Sequence, residues 1–265
     1  MKAAIIGLPY SGKSTLFAAA TSLRADPADM PQERVGVVAV PDPRLAFLVD
    51  LYSPKKVTPA TIEFVDIPGF SLADAQGRQQ LKKHLPTMRT CDLLVLVVRD
   101  FQNPSVPAYR DRVERLADLA ELRDELIFAD LEIVTNRVEK LEKALTKPTK
   151  THEQEKRELA VMQACRDALE EGKPLSTCAH NDDEARMLAS FGFLTEKPAV
   201  VVFNVDEDRA AGGAVAAPEH FHSAIELCAE VEAQITELEP ADRTEFLAAL
   251  GIAVGKRLKG ESGKS

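Results

Sequence analysis

One stretch near the N-terminus constrains the fold of this chain more than any other. Residues 7–14 read Gly-Leu-Pro-Tyr-Ser-Gly-Lys-Ser and fit G-x-x-x-x-G-K-[ST], the pattern of a phosphate-binding P-loop. The apolar run at residues 3–6 predicts a buried strand before the loop, and residues 14–20 predict a helix after it. Strand, loop and helix therefore come in the order that phosphate binding requires, which argues against the alternative of an ordinary glycine turn.

The residues of this loop have distinct predicted tasks. Gly7 and Gly12 let the backbone approach a phosphate because neither carries a Cβ. Amide groups at the start of the helix point at the anion, and the helix dipole favours negative charge there. Lys13 would supply a positive charge to the β- and γ-phosphates, and the Ser14 hydroxyl would hold Mg²⁺. The predicted phosphate-binding residues in the loop are Leu8, Pro9, Tyr10, Ser11, Gly12, Lys13, Ser14 and Thr15.

A second motif, Asp-Ile-Pro-Gly at residues 66–69, follows an alternating segment at 61–66 that predicts a strand. We expect Asp66 to reach Mg²⁺, usually through water, and the Gly69 amide to sense the γ-phosphate, as in switch GTPases. An ordinary strand-to-turn transition is the alternative for this motif. His84 follows the region and is a candidate for contact with the γ-phosphate.

Composition limits the classes of function. The 265 residues carry 33 Lys and Arg against 42 Asp and Glu, a net charge of −9, which argues against direct DNA binding and against anionic membranes as partners. The four cysteines lie far apart, form no C-x-x-C pair and predict reduced thiols. No signal-peptide pattern precedes the P-loop, and the longest apolar run, 93–98, is too short to span a bilayer. We therefore expect a cytoplasmic protein.

The remaining pattern predicts an α/β fold. Residues 35–40, 91–98 and 199–203 predict strands, and residues 44–52 and 182–191 predict helices. With the P-loop, they predict a P-loop NTPase, or G domain, built as a three-layer sandwich around a mainly parallel sheet. Residues 24–34, which include two prolines, predict an exposed loop, and residues 253–265 predict a disordered tail.

The middle of the chain has a different pattern. Between about residues 111 and 171 the sequence is charged, and one set of apolar residues alternates spacings of four and three, as in a coiled-coil seam: Ile127, Leu131, Val134, Val138, Leu141 and Leu145. Residues 147–149 break this helix, and a second helix follows. The pattern predicts a helical hairpin at 111–175, inserted between G-domain parts at 1–110 and 176–252. We expect it to be separable from the nucleotide site, because its seam can be satisfied internally. A partner-binding arm and simple packing on the parent domain both remain open.

These stretches together resemble the YchF branch of the Obg-like P-loop GTPases, the Obg-like ATPases. The matching segments are 7–17, 41–45, 63–67, 97–101, 125–132, 197–198, 204–207 and 245–247. The family has Asn-x-x-Glu where GTPases carry Asn-Lys-x-Asp, and this chain has Asn-Val-Asp-Glu at 204–207. The resemblance implies a weak nucleoside triphosphatase that binds ATP or GTP with Mg²⁺ and has the ribosome or another protein as partner. It also implies a base site formed by Phe101, Asn204, Val205, Glu207, Cys228, Ala229 and Glu230.

The base site leads us to expect ATP to bind at least as well as GTP. Glu207 is one methylene longer than the aspartate that accepts hydrogen bonds from guanine, so it would crowd that base. Asn204 can instead pair with N6 and N7 of adenine, as asparagine does in DNA, with Phe101 as an apolar wall. Guanine remains open as well, because a shift of one residue would offer Asp206 or Asp208.

The chain also departs from the family. No threonine occurs at residues 29–33, where the family has a Mg²⁺-ligating switch I threonine, and Tyr10 replaces a P-loop asparagine. The glycine-rich segment after the second motif is reduced to Gly77, and the family continues into a TGS domain before which this chain stops. Phe70 lies near the place of the water-orienting glutamine of Ras-type enzymes, so we expect slow hydrolysis in a regulatory switch. The alternative is a non-hydrolysing nucleotide-binding module that signals through its hairpin.

Overall fold

The computed structural model describes residues 1–23, 32–146, 151–178, 180–250 and 252. Most of the predicted loop at 24–34, the predicted helix break at 147–149 and the predicted tail at 253–265 lie outside these residues. Within the described ranges, no helix combines the length and apolar character needed to cross a membrane.

A mixed sheet of seven strands forms the centre of the described chain, in the order β2-β3-β1-β4-β5-β7-β6. Its strands are β1 (Lys2–Ile6), β2 (Arg34–Ala39), β3 (Thr61–Asp66), β4 (Leu93–Asp100), β5 (Ala199–Val205), β6 (Gly213–Val215) and β7 (Ser223–Leu227). The five inner strands pair in parallel, whereas the edge strands β2 and β6 are antiparallel to their neighbours. The continuous apolar runs of β1, β4 and β5 fit strands that are covered on both faces.

Helices cover both faces of this sheet, so the predicted three-layer α/β fold is confirmed. The helices of the described chain are α1 (Lys13–Thr21), α2 (Pro43–Tyr52), α3 (Ala75–Arg89), α4 (Arg115–Leu145), α5 (His152–Glu170), α6 (Asp182–Ala189), α7 (Ala229–Glu237) and α8 (Pro240–Ala249). Successive strand residues point to opposite faces. Ile5 of β1 packs with Phe17 of α1 on one face, whereas Ile6 packs with Leu81 of α3 and Leu122 of α4 on the other.

Helices α4 and α5 form the predicted hairpin, and the predicted seam lies between them. Val134, Val138 and Leu141 of α4 are buried with Met162 and Leu169 of α5. Arg137 of α4 also forms a two-bond ion pair with Glu158 of α5, with N–O distances of 2.6 and 2.8 Å. The spacing of the apolar residues in α4 therefore predicted the face that contacts α5.

The first half of α4 packs differently from its second half. Leu119, Leu122 and Leu126 are buried in the same cluster as Leu94 and Leu96 of β4, so this part of the helix covers the sheet. Removal of residues 111–171 would therefore expose the central strands, which argues against the expectation that these residues are separable as a unit. The predicted seam begins at Ile127, so the sequence pattern assigns no packing face to the apolar residues of α4 before it.

Candidate nucleotide-binding site

The segments that follow the five parallel strands meet at one cavity of about 700 Å³. Because the carboxyl ends of parallel strands lie at the same edge of a sheet, ligands of open α/β folds bind there. Strand β1 leads into the P-loop, β3 ends at Asp66, β4 leads to Phe101, β5 leads to Asn204 and Glu207, and β7 leads to Cys228. The volume lies in the range of cavities that hold small molecules.

Most of the residues predicted for the site line this cavity. They are Pro9, Tyr10, Ser11, Gly12, Lys13, Ser14, Thr15, Asp66, Gly69, Phe101, Asn204, Val205, Glu207, Cys228, Ala229 and Glu230. Leu8 and His84 are not among the lining residues. The Leu8 side chain is buried in the core. The His84 Nδ1 atom lies 2.7 Å from Oε1 of Glu33, so this ring nitrogen is paired with a carboxylate.

The P-loop geometry requires glycine and buries its lysine. Gly12 has φ +87°, and a Cβ there would lie 2.1 Å from Nδ2 of Asn204, so no other residue fits without a shift. A Cβ on Gly69 would lie 3.2 Å from Nζ of Lys13, which places the lysine head against the second motif. Burial lowers the pKa of Lys13, and the nearby Asp66 carboxylate opposes this shift. The lysine is therefore a desolvated cation at the place where terminal phosphates are expected.

Asn204 joins two loops of the site. Its Nδ2 donates to the Ser11 carbonyl at 3.0 Å, and its Oδ1 accepts from the Ala229 amide at 2.8 Å. The side chain thus ties the P-loop to the start of α7 and is already bonded at both ends. An amide side chain can make four hydrogen bonds. Contact with adenine N6 and N7, as predicted from the sequence, would therefore be added to this brace.

Two further polar residues fix the loop after β4. The guanidinium carbon of Arg99 lies 4.4 Å from the centre of the Phe101 ring, and Arg99 donates to the carbonyls of Phe101, Val106 and Pro107. The Asp206 carboxylate accepts from the Gln102 amide at 2.9 Å. Asp206, one of the two aspartates that a one-residue shift would offer to guanine, is therefore bonded to backbone.

Ser14 and Asp66 provide oxygen atoms for a divalent cation. The Ser14 hydroxyl donates to Oδ2 of Asp66 at 3.2 Å, and both residues line the cavity. The other carboxylate oxygen, Oδ1, is buried and has no hydrogen-bond partner among the described residues. Mg²⁺ prefers hydroxyl, carboxylate and phosphate oxygens and takes few protein ligands. The donor set therefore fits Mg²⁺ bound with a nucleotide.

Arg34 also lines the cavity, and the sequence did not indicate it. It is the first residue of β2 and pairs in register with Asp66 of β3, and its guanidinium forms an ion pair with that carboxylate. The sequence pattern assigned Arg34 to an exposed loop. Only the antiparallel register of β2 and β3 brings the two side chains together.

The segment after the second motif turns into the core and contacts the hairpin. Phe70 is 2% exposed and packs among core residues, so its side chain does not face the cavity. The Leu72 amide donates to the Tyr109 hydroxyl at 3.2 Å, and that hydroxyl donates to Glu121 of α4 at 3.1 Å. The segment that follows the second motif and the base of the hairpin are thus joined by one buried tyrosine.

Comparisons with known proteins agree with this arrangement. A family model described as "50S ribosome-binding GTPase" matches residues 2–137. The ribosome-binding ATPase YchF of Haemophilus influenzae is 33% identical over 269 aligned residues, covering 95% of this chain and 71% of the relative. That of Bacillus subtilis is also 33% identical, covering 95% of this chain and 72% of the relative. The structure of the Schizosaccharomyces pombe YchF GTPase matches with a TM-score of 0.77 and 24% identity, covering 95% of this chain and 71% of that one.

Proposed function

This chain belongs to the YchF family of P-loop nucleoside triphosphatases, and we propose that it binds ATP with Mg²⁺, hydrolyses it slowly and acts as a ribosome-linked switch. The observation that carries this proposal is the convergence of Lys13, Ser14, Asp66 and Gly69 on one edge of the cavity. A buried lysine, a hydroxyl paired with a carboxylate and a glycine amide are the groups that hold a magnesium-bound triphosphate.

Within this site, Lys13 would contact the β- and γ-phosphates, and the amides from Gly12 to Thr15 would surround the β-phosphate at the start of α1. Ser14 and Asp66 would hold Mg²⁺, which supplies charge neutralisation for the phosphates. Gly69 lies beside the head of Lys13, and its amide would sense the γ-phosphate. Loss of that phosphate would free the second switch segment, formed by Asp66 and Gly69, which is how GTPase-type switches report their nucleotide.

Two contacts support adenine over guanine. Asp206, a candidate reader of guanine, is bonded to the Gln102 amide, and Glu207 is exposed at the start of a short turn. Asn204 retains one donor and one acceptor position for N7 and N6 of adenine. Phe101, held by Arg99, offers an apolar surface beside the base. The relatives named above as ATPases agree with this preference.

Slow hydrolysis follows from the side chain at Phe70. Ras-type enzymes orient the attacking water with a glutamine in this region, whereas Phe70 is buried and apolar. We expect turnover well below the ~1–100 s⁻¹ of kinases. The same observation supports a second candidate, a module that binds nucleotide without hydrolysis and signals through its hairpin.

The hairpin is the proposed arm for a partner, and relatives named as ribosome-binding indicate the ribosome. The bonds from Leu72 through Tyr109 to Glu121 give a route by which the nucleotide state could bias the hairpin base. A ribosome-linked role and the unpaired cysteines Cys91, Cys165, Cys178 and Cys228 both fit the cytoplasm, where we place the protein.

The test combines two measurements on the purified chain. Calorimetric competition with and without Mg²⁺ should show ATP binding at least as tightly as GTP, and GTP tenfold tighter than ATP would refute the adenine assignment. Phosphate release over many turnovers then separates the two candidates. Slow, Mg²⁺-dependent release that is lost in Lys13→Ala supports the ATPase, and binding without release supports the non-hydrolysing module.

A further inference from the structure

We propose that Arg34 changes its ion-pair partner when the magnesium-bound triphosphate enters. Its guanidinium would release the Asp66 carboxylate and bind the terminal phosphate instead. The inference rests on the proposed function and names a residue that would distinguish a triphosphate from a diphosphate. Arg34 would then be an arginine supplied within the chain itself to the terminal phosphate.

The position of Arg34 is well defined by the fold. As the first residue of β2, it lies directly opposite Asp66, the last residue of β3, in the antiparallel register. Its guanidinium carbon lies 4.9 Å from the centre of the Phe17 ring, which supports the flat face of the group. The side chain is only 16% exposed and lines the cavity. Arg34 is thus a largely buried cation within the candidate site.

Arg34 has a donor that its present contacts do not use. Its Nη2 pairs with Oδ2 of Asp66. Its Nη1 is buried and has no hydrogen-bond partner among the described residues. Leaving a buried donor without an acceptor is costly, so a nearby oxygen-rich ligand would be favoured. A phosphate offers several oxygens to the planar fork of a guanidinium, which binds such groups with two parallel bonds.

The charges around Asp66 require Arg34 to change partner. Lys13, Arg34 and Asp66 lie close together in one cluster of charges. The Asp66 carboxylate attracts the Lys13 ammonium, whereas the Arg34 guanidinium repels it. With Mg²⁺ at Asp66 and Ser14, a guanidinium on the same carboxylate would face a second, divalent cation. A buried charge without a partner is unfavourable, so Arg34 needs a new anion within reach. The terminal phosphate beside Lys13 supplies that anion in ATP, whereas ADP lacks it.

The sequence before β2 is consistent with this assignment. Residues 29–33 contain no threonine that could contact a nucleotide-bound cation. Arg34 follows them directly and already points a charged group into the cavity. An arginine supplied within the chain can stabilise charge on a transferring γ-phosphoryl group, as in Gα proteins.

The test measures binding rather than turnover. The full chain is titrated by calorimetry, in Mg²⁺, with ADP and with the non-hydrolysable analogue adenylyl imidodiphosphate. Arg34→Ala should weaken the analogue by about tenfold or more, the loss expected for charge-assisted hydrogen bonds, and ADP by less than about threefold. Arg34→Lys, which keeps the charge and loses the fork, should fall between Arg34→Ala and the wild type. Arg44→Ala is the matched control, because Arg44 is exposed and pairs with Asp42 on the surface.

Several outcomes would overturn the proposal. Equal losses for both ligands would make Arg34 a general phosphate contact, and tighter binding of both would make it only a competitor for the metal site. If Arg34→Ala fails to fold by circular dichroism, Arg34→Lys decides, and an unchanged ratio of analogue to ADP affinity refutes the exchange. If the wild-type chain binds neither ligand, the proposed function is refuted as well. If the wild type binds both ligands and the variants keep the same ratio of analogue to ADP affinity, only this inference is refuted.

Discussion

Asn204→Ala is the substitution whose effect follows most directly from the structure. Asn204 is 5% exposed and spans the P-loop and the start of α7 through Ser11 and Ala229. Alanine would leave a buried carbonyl and a buried amide without partners, at about 1–3 kcal/mol each. The expected loss of unfolding free energy is therefore about 2–6 kcal/mol. At about 2–4 °C per kcal/mol for a chain of this size, the midpoint of thermal unfolding should fall measurably.

The same variant separates two roles of Asn204 in binding. If the side chain chiefly braces the P-loop, its removal should weaken ATP and GTP by similar factors, because both share the triphosphate. If it chiefly reads adenine, ATP should lose affinity while GTP does not. Asn103→Ala is the matched control, because Asn103 also lines the cavity but is exposed, and its side-chain oxygen bonds the nearby Ser105 amide.

Thermal unfolding and calorimetric titration of the three proteins provide the assay. We expect Asn103→Ala to stay within about 1 kcal/mol of the wild type in unfolding free energy, as surface changes do. An unfolding midpoint of Asn204→Ala equal to that of the wild type, together with a loss confined to ATP, would refute the brace.

Two further predictions concern the hairpin. Replacing residues 139–157 by a short Gly-Ser linker should leave ATP affinity within about threefold of the wild type. The change removes the tip of the hairpin and retains both the Arg137–Glu158 pair and the half of α4 that covers the sheet. Loss of the folded state on this deletion would contradict the division of α4. Burial raises the pKa of Asp118, with Arg112 opposing the shift. The protein therefore loses stability as pH rises through that pKa, because the buried carboxyl group becomes ionised. Asp118→Asn should therefore unfold at a higher temperature than the wild type near neutral pH, with a gain that shrinks at about pH 4, and an equal or lower midpoint at neutral pH would contradict this.

The P-loop and the sheet could be predicted because their signals are local. The residues from Gly7 to Ser14 carry spacing, glycines and flanking elements within one short stretch, and the buried strands are continuous apolar runs. The edge strand β6 had no such signal, since Gly213–Val215 is short and exposed. Helix α3 likewise contains Pro86 and few apolar residues, so its core-facing side is not evident from spacing.

The contacts within the site could not be predicted, because they join distant parts of the chain. One hydrogen-bond partner of Asn204 is Ser11, which lies far away in sequence. The parallel order of β1, β4 and β5 brings the two residues together. Arg34 meets Asp66 through a strand register that residue types do not specify. Leu122 and Val138 both lie in α4 but pack on different elements.

The most direct test of the account is the calorimetric titration of Mg²⁺ and ATP into the wild-type chain and Lys13→Ala. Lys13 is buried against Gly69 and has a lowered pKa caused by burial, so its removal should not unfold the protein. Lys82→Ala is the control, because Lys82 is an exposed lysine that pairs with Glu132. We expect the wild type and Lys82→Ala to bind ATP equally and Lys13→Ala to lose a factor of about ten to a hundred, as for a charge-assisted hydrogen bond. A folded Lys13→Ala that binds ATP as tightly as the wild type would contradict the assignment of this loop to phosphate binding.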